Sequence, residues 1–271
     1  MRVSPKEPFQ IAYALYNHQY LGYLFESFIV QKDEHNRLML RYQNISEKNV
    51  NEFSKNLTEK DFDLVRLMDS IQQDVIIRKF HKTKIRPIEF FPKVYDEKTG
   101  DKELQDKIYH YLENKRSQIL AKLKNRLLFE MGSDGAPNYH KRIHIEPHEA
   151  TVLFHFFRNE DNTNYYPTIR YRDKKIEFRQ KGAILLCNEP AWLMLDEHVY
   201  HFKQAIDGVK LKPFLRKKFI LVPKKVEKTY YEKFVTQIVA AYKVHAQGFE
   251  IKEEKYTPKA ILTISELNDV N

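Results

Sequence analysis

Between residues 151 and 222 the chain alternates short runs of aromatic and β-branched residues with polar turn formers. The strand-like runs are 151–158, 168–172, 175–179, 183–187, 192–195, 198–202 and 218–222. Turns such as Asn159-Glu160-Asp161-Asn162 and Arg172-Asp173-Lys174-Lys175 separate several of them. A short strand cannot bury a face by itself and must pair, and links this brief join antiparallel neighbours. The expectation for this half is therefore an antiparallel β-meander.

The amino-terminal half mixes a hairpin with helices. Residues 21–31 read as a strand, Asp33-Glu34-His35-Asn36 as a turn and 37–43 as the returning strand. Thr58 followed three residues later by Asp61 resembles an N-cap, although a capping box would have Glu or Gln there. Leu64, Met68, Ile71 and Val75 then lay one apolar stripe along a helix predicted to end near Phe80. Arg86-Pro87 interrupts, because the residue before proline is disfavoured in helix. A second helix is predicted over 101–124, with Leu104, Ile108, Tyr111, Ile119 and Leu123 as its buried side. Lys115, Arg116, Lys122, Lys124 and Arg126 crowd its carboxyl-terminal half and suit the helix dipole.

Gly132-Ser133-Asp134-Gly135-Ala136-Pro137-Asn138 is the densest turn-forming cluster. It suggests a hairpin and helical part over 1–126 and a β-rich part with a packed helix over 127–271, sharing one core if the first hairpin pairs with later strands. The helix of the second part starts near Lys225 and shows an apolar face of Tyr231, Phe234, Val235, Ile238, Val239 and Tyr242. Two further strands are expected over 244–251 and 259–264, and the chain stops without a cap, as a piece of a longer one would. The fold class read from this pattern is α+β, with antiparallel hairpins and several packed helices.

With 42% hydrophobic and 13% aromatic residues, the 271-residue chain is rich enough in apolar side chains for a substantial core. Its one cysteine, Cys187, lies in the apolar run Ala183-Ile184-Leu185-Leu186-Cys187 and reads as a small buried hydrophobe. That excludes an intramolecular disulfide framework and fits a reducing, cytoplasmic setting. No segment has signal-peptide character or membrane-spanning length, so no membrane partner is expected.

The charge is unevenly placed. Residues 165–228 hold fifteen Lys and Arg against seven Asp and Glu, a local excess of eight in a chain whose net charge is +9. Such a concentration is the footprint of a surface that meets a polyanion. Arg170, Arg172, Lys174, Lys175 and Arg179 fall on a predicted hairpin with Tyr165, Tyr166, Tyr171 and Phe178, and Arg216-Lys217-Lys218 precedes another strand. Alternation places Arg170 and Arg172 on one face and Tyr171 on the other. The cations would neutralise phosphates, and Tyr165 and Tyr166, if exposed, would stack on bases. The competing reading is a half-buried sheet whose aromatics face the core and whose basic face is merely solvated.

Other chemistries have less behind them. The seven glycines never form the spacing of a phosphate loop. His140, His144 and His148 stand four apart, but Ile143, Ile145 and Pro147 make the segment extended. Paired positions are then about 13 Å apart, too far for one metal. Glu250-Ile251-Lys252 with Asp207 matches half of a metal-dependent nuclease pattern, one that recurs by chance in charged chains.

Several phrases together resemble the region that precedes the ATPase core in large bacterial SWI/SNF-type helicase-like proteins. They are Pro8-Phe9-Gln10-Ile11, Tyr20-Leu21-Gly22-Tyr23-Leu24-Phe25-Glu26-Ser27-Phe28, Asp69-Ser70-Ile71-Gln72-Gln73-Asp74, Leu128-Phe129-Glu130-Met131-Gly132, Phe157-Arg158-Asn159-Glu160-Asp161-Asn162-Thr163 and Cys187-Asn188-Glu189-Pro190-Ala191-Trp192. The resemblance implies an accessory, non-catalytic region that contacts duplex DNA or docks on the ATPase lobes of the same polypeptide. It implies ATP and Mg²⁺ only in those lobes, with no cofactor and no catalytic residue in this chain, and a cytoplasmic, nucleoid-associated location. The alternatives are a structural interaction module that binds no nucleic acid, and a small Mg²⁺-dependent nuclease.

Overall fold

The computed structural model describes residues 3–158, 160–176 and 182–247. It opens with three antiparallel strands, β1 (Phe9–His18), β2 (Gly22–Lys32) and β3 (Leu38–Ile45). The β2–β3 turn is tied by the Asp33 carboxylate, which accepts the backbone N–H groups of His35 and Arg37 at 2.9 Å each. Asn36 there takes a left-handed conformation (φ 61°), which asparagine tolerates better than most residues. The expected hairpin is thus present, and β1 is an additional strand on its other side.

Four helices follow: α1 (Glu59–Asp69), α2 (Gln73–Phe80), α3 (Pro87–Val94) and α4 (Lys102–Lys122). Asp61 caps α1 despite being one methylene short of Glu, accepting the Thr58 N–H at 2.8 Å and its hydroxyl at 2.6 Å. The single helix expected from residue 58 to 80 is broken. Its break is held by Ser70, whose hydroxyl donates to the Leu67 carbonyl at 2.6 Å, and by Gln72, whose amide donates to the Phe25 carbonyl at 2.8 Å.

The remainder comprises β4 (Leu128–Met131), β5 (Pro137–Ile145), β6 (Thr151–Arg158), β7 (Asn162–Tyr171), β8 (Lys174–Ile176), β9 (Ala183–Asn188), β10 (Ala191–Leu195) and β11 (His198–His201). Then come β12 (Ile220–Pro223), α5 (Lys224–Tyr230), a π-helical turn Tyr231–Val235, α6 (Thr236–Ala241) and β13 (Lys243–Gln247). Of the closing strand expected over 244–251, residues 244–247 lie in β13 and the rest lie outside the described residues, as does the strand expected over 259–264.

An eight-stranded sheet runs β3-β2-β1-β4-β5-β11-β10-β9, and a five-stranded sheet runs β12-β7-β6-β13 with β8 also on β7. The simple antiparallel meander is corrected: β1/β4, β5/β11 and β6/β13 are parallel pairs. Helices α1–α4 between β1–β3 and β4, and α5–α6 before β13, supply the long crossovers that parallel pairing needs. The α+β class itself holds.

Tyr13, Leu64 and Ile119 share one apolar cluster with Leu128, Ile143 and Val199, so elements on either side of residue 126 pack into it. A second cluster joins Phe154, Phe156, Tyr165 and Ile169 to Leu193, Phe214 and Ile238. β10 serves both, because alternate residues face opposite ways: Trp192 and Met194 enter the first cluster, and Leu193 and Leu195 the second.

Candidate nucleic-acid interface

Strands β6 and β7 carry aromatic residues on both faces, and pairing register decides which are inside. Val152, Phe154 and Phe156 on β6 and Thr163, Tyr165, Pro167, Ile169 and Tyr171 on β7 are buried, while the alternate residues form the outer face, on which Thr168 is covered as well. Across that outer face residues stand in rows. Lys175, Arg170 and Thr151 are opposite one another, then Thr168, Leu153 and Lys243, then Tyr166, His155 and His245, then Leu221, Asn164, Phe157 and Gln247.

The two rows farthest from Arg170 carry the aromatic residues. His155 and Tyr166 lie 4.8 Å apart at 13°, His155 and Phe157 6.1 Å at 9°, and Phe157 and Tyr166 5.9 Å at 8°. His245 meets this near-parallel group edge-on, 5.6 Å from His155 and 5.7 Å from Phe157. Arg170 and Lys175 close one end and Lys243 stands on the far strand, all three exposed. Burial, then the positive charge of His245, Lys175 and Arg170, holds the His155 imidazole below its usual pKa. The ring is therefore neutral near pH 7, with Nε2 2.8 Å from the Thr168 hydroxyl. Its Nδ1, and the Asn164 Oδ1 in the next row, are buried without a hydrogen-bond partner among the described residues.

The platform is braced from behind. Glu227 of α5 accepts the Thr163 hydroxyl at 2.6 Å and the Tyr231 hydroxyl at 2.7 Å, and pairs with Arg158 at 2.8 Å. Burial works to raise the Glu227 pKa, but these hydrogen bonds and the Arg158 charge bring it below the usual carboxylate value. Behind the same strands a cavity of about 220 Å³ is lined by Phe156, Tyr165, Lys210, Tyr230, Phe234 and Ile238.

The expected site residues divide. Arg170, Lys175 and Tyr166 belong to the outer face. Arg172 leaves the strand in the β7–β8 turn with φ 52°, and its guanidinium lies 5.6 Å from the centre of the Tyr171 ring. Lys174 is exposed but stands opposite Tyr171, in the register of the inner face. Arg216, Lys217 and Lys218 are exposed just before β12. Because β12 and β8 share one edge of β7, this segment approaches from the β8 side. Arg179 lies outside the described residues.

Tyr165 requires a correction. It is only 5% exposed, stacked on Phe156 at 4.6 Å and 7° and edge-on to Phe214 at 5.1 Å, so it is core and cannot meet a base. Sequence reading also missed His155, Phe157, Lys243 and His245. Only the alternation Lys243-x-His245-x-Gln247 marked two of them as facing out, since β6 is apolar or aromatic at most positions of both faces.

The remaining candidates are placed as follows. His140 and His144 lie on extended β5, and His144 packs on His198 at 5.6 Å. Among the described residues no group of three or more His, Cys, Asp or Glu is arranged to hold a metal. Asp207 caps a 3₁₀ turn by accepting the Val209 N–H at 2.8 Å, and Glu250 and Lys252 lie outside the described residues. Cys187 is buried, its thiol pushed up to about 12, chiefly by that burial. Among the described residues no helix is long and apolar enough to cross a membrane. Compared with known proteins, the chain matches no family model, no curated protein and no solved structure.

Proposed function

We propose that this chain is a non-catalytic nucleic-acid-binding module that uses the outer face of its five-stranded sheet. The observation that carries the reading is the placement of Arg170, Lys175 and Lys243 beside an aromatic group on one sheet face. Cations of this kind attract the phosphate backbone without reading sequence. In the setting that the SWI/SNF-type resemblance implies, the module adds a nucleic-acid contact to ATPase lobes elsewhere in a longer polypeptide. The test is fluorescence anisotropy with labelled DNA at low salt. Arg170→Glu combined with Lys243→Glu should weaken binding at least tenfold, and unchanged affinity would remove the reading.

A second reading, docking on an acidic protein surface, is favoured by the cavity behind the platform, whose lining includes Lys210 and the half-exposed Phe234. Capture of the ATPase lobes without nucleic acid, lost on Phe234→Asp, would favour it over DNA contact.

A further inference from the structure

We infer that the nucleic acid taken by this face is single-stranded, with unpaired bases stacking on the ring group of Tyr166, His155 and Phe157. The inference rests on the nucleic-acid reading above and narrows it.

A duplex hides its base faces inside the helix and offers a protein phosphates and groove edges. The cations would suffice for such a partner, and rings beside them would add nothing. Here the rings lie on the two middle strands, β6 and β7, and in adjacent rows. They are within 13° of parallel, so another flat ring can extend the group by the same offset stacking. Every base has such a face, so the contact tolerates any sequence.

The cations are placed for a strand crossing the sheet. Arg170 and Tyr166 are four residues apart on β7, which puts about 13 Å between ring row and cation row. Lys243 lies on the far strand, one row from His155. A strand whose bases rest on the rings can thus run its phosphates toward Arg170 and Lys175 at one end and Lys243 at the side.

The experiment compares a fluorescein-labelled fifteen-nucleotide oligo-dT with a fifteen-base-pair duplex, on the full chain and on Tyr166→Ala, Phe157→Ala and Arg170→Glu. Oligo-dT should bind more tightly than duplex, and each ring variant should weaken it roughly 5- to 100-fold while leaving duplex affinity unchanged. Because a ring variant can lose its fold, the wild-type chain is also photocrosslinked to oligonucleotide carrying 5-iodouracil, with adducts expected at Tyr166, Phe157 or His155. If neither probe binds, the nucleic-acid reading itself falls. If duplex binds as tightly as oligo-dT, or the adducts map away from these rings, that reading survives and the single-strand inference is overturned.

Discussion

Glu113 and Arg116, one turn apart on α4, pair at 2.6 Å with side chains only 2% and 6% exposed. Each also holds a distant part of the chain. Arg116 donates to the Leu21 and Tyr23 carbonyls at the start of β2, and Glu113 accepts from the Asn188 and Glu189 N–H groups and the Cys187 thiol at the end of β9. The pair thus joins the first hairpin to the far edge strand of the eight-stranded sheet.

Removing one partner of a buried pair leaves an uncompensated charge, which costs about 3–5 kcal/mol. Glu113→Ala should therefore lower unfolding stability by roughly that amount in urea titration. Glu113→Gln, which keeps an acceptor for the loop N–H groups, should lose less. A Glu113→Gln variant as stable as the parent would mean that the Arg116 charge is not what Glu113 balances.

Tyr165 and Tyr166 are neighbours with opposite consequences. Tyr165→Ala opens a cavity among Phe154, Phe156 and Phe214 and should destabilise the fold by about 3–5 kcal/mol. Tyr166→Ala, on the outer face, should cost much less stability while weakening oligo-dT binding. Thermal melts alongside anisotropy separate the two, and a reversed pattern would place the contact face on the wrong side of the sheet.

Stability should fall as pH drops below neutrality. His18, His155 and His201 all have folded pKa values depressed from 6.5, chiefly because burial penalises the imidazolium. As pH falls through 6.5 the unfolded chain takes up protons that the folded chain refuses, so the folded state loses ground. Glu26 and Asp69, raised by burial, act in the opposite sense in the acidic range and soften the loss. His201 accepts from the Lys124 ammonium at 2.8 Å and stacks on Trp192 at 4.9 Å. Replacing it, His201→Gln, should flatten the dependence between pH 7 and 5 in denaturant titrations. An unaltered slope would assign the effect to other groups.

The β-rich half was legible because alternation and turn residues act locally, and β9, β10 and β11 fall within a residue or so of their predicted spans. The parallel pairing of Tyr13 with Leu128 was not, since it spans four helices and leaves no local mark. The break after α1 was hidden for a similar reason: Gln72 is held by Phe25, and neither proline nor glycine announces the stop. In the candidate site, charge singled out Arg170 and Lys175, which stand opposite each other on the outer face. It could not choose between Tyr165 and Tyr166, because β7 is aromatic on both faces and only pairing register tells them apart.

The most direct test of nucleic-acid contact through this face is the salt dependence of binding. Three phosphate contacts, at Arg170, Lys175 and Lys243, should give a slope of log affinity against log salt of about −2 for a single strand. Arg170→Ala should make that slope shallower by about 0.7. A slope near zero, or one that Arg170→Ala, Lys175→Ala and Lys243→Ala all leave unchanged, would contradict it.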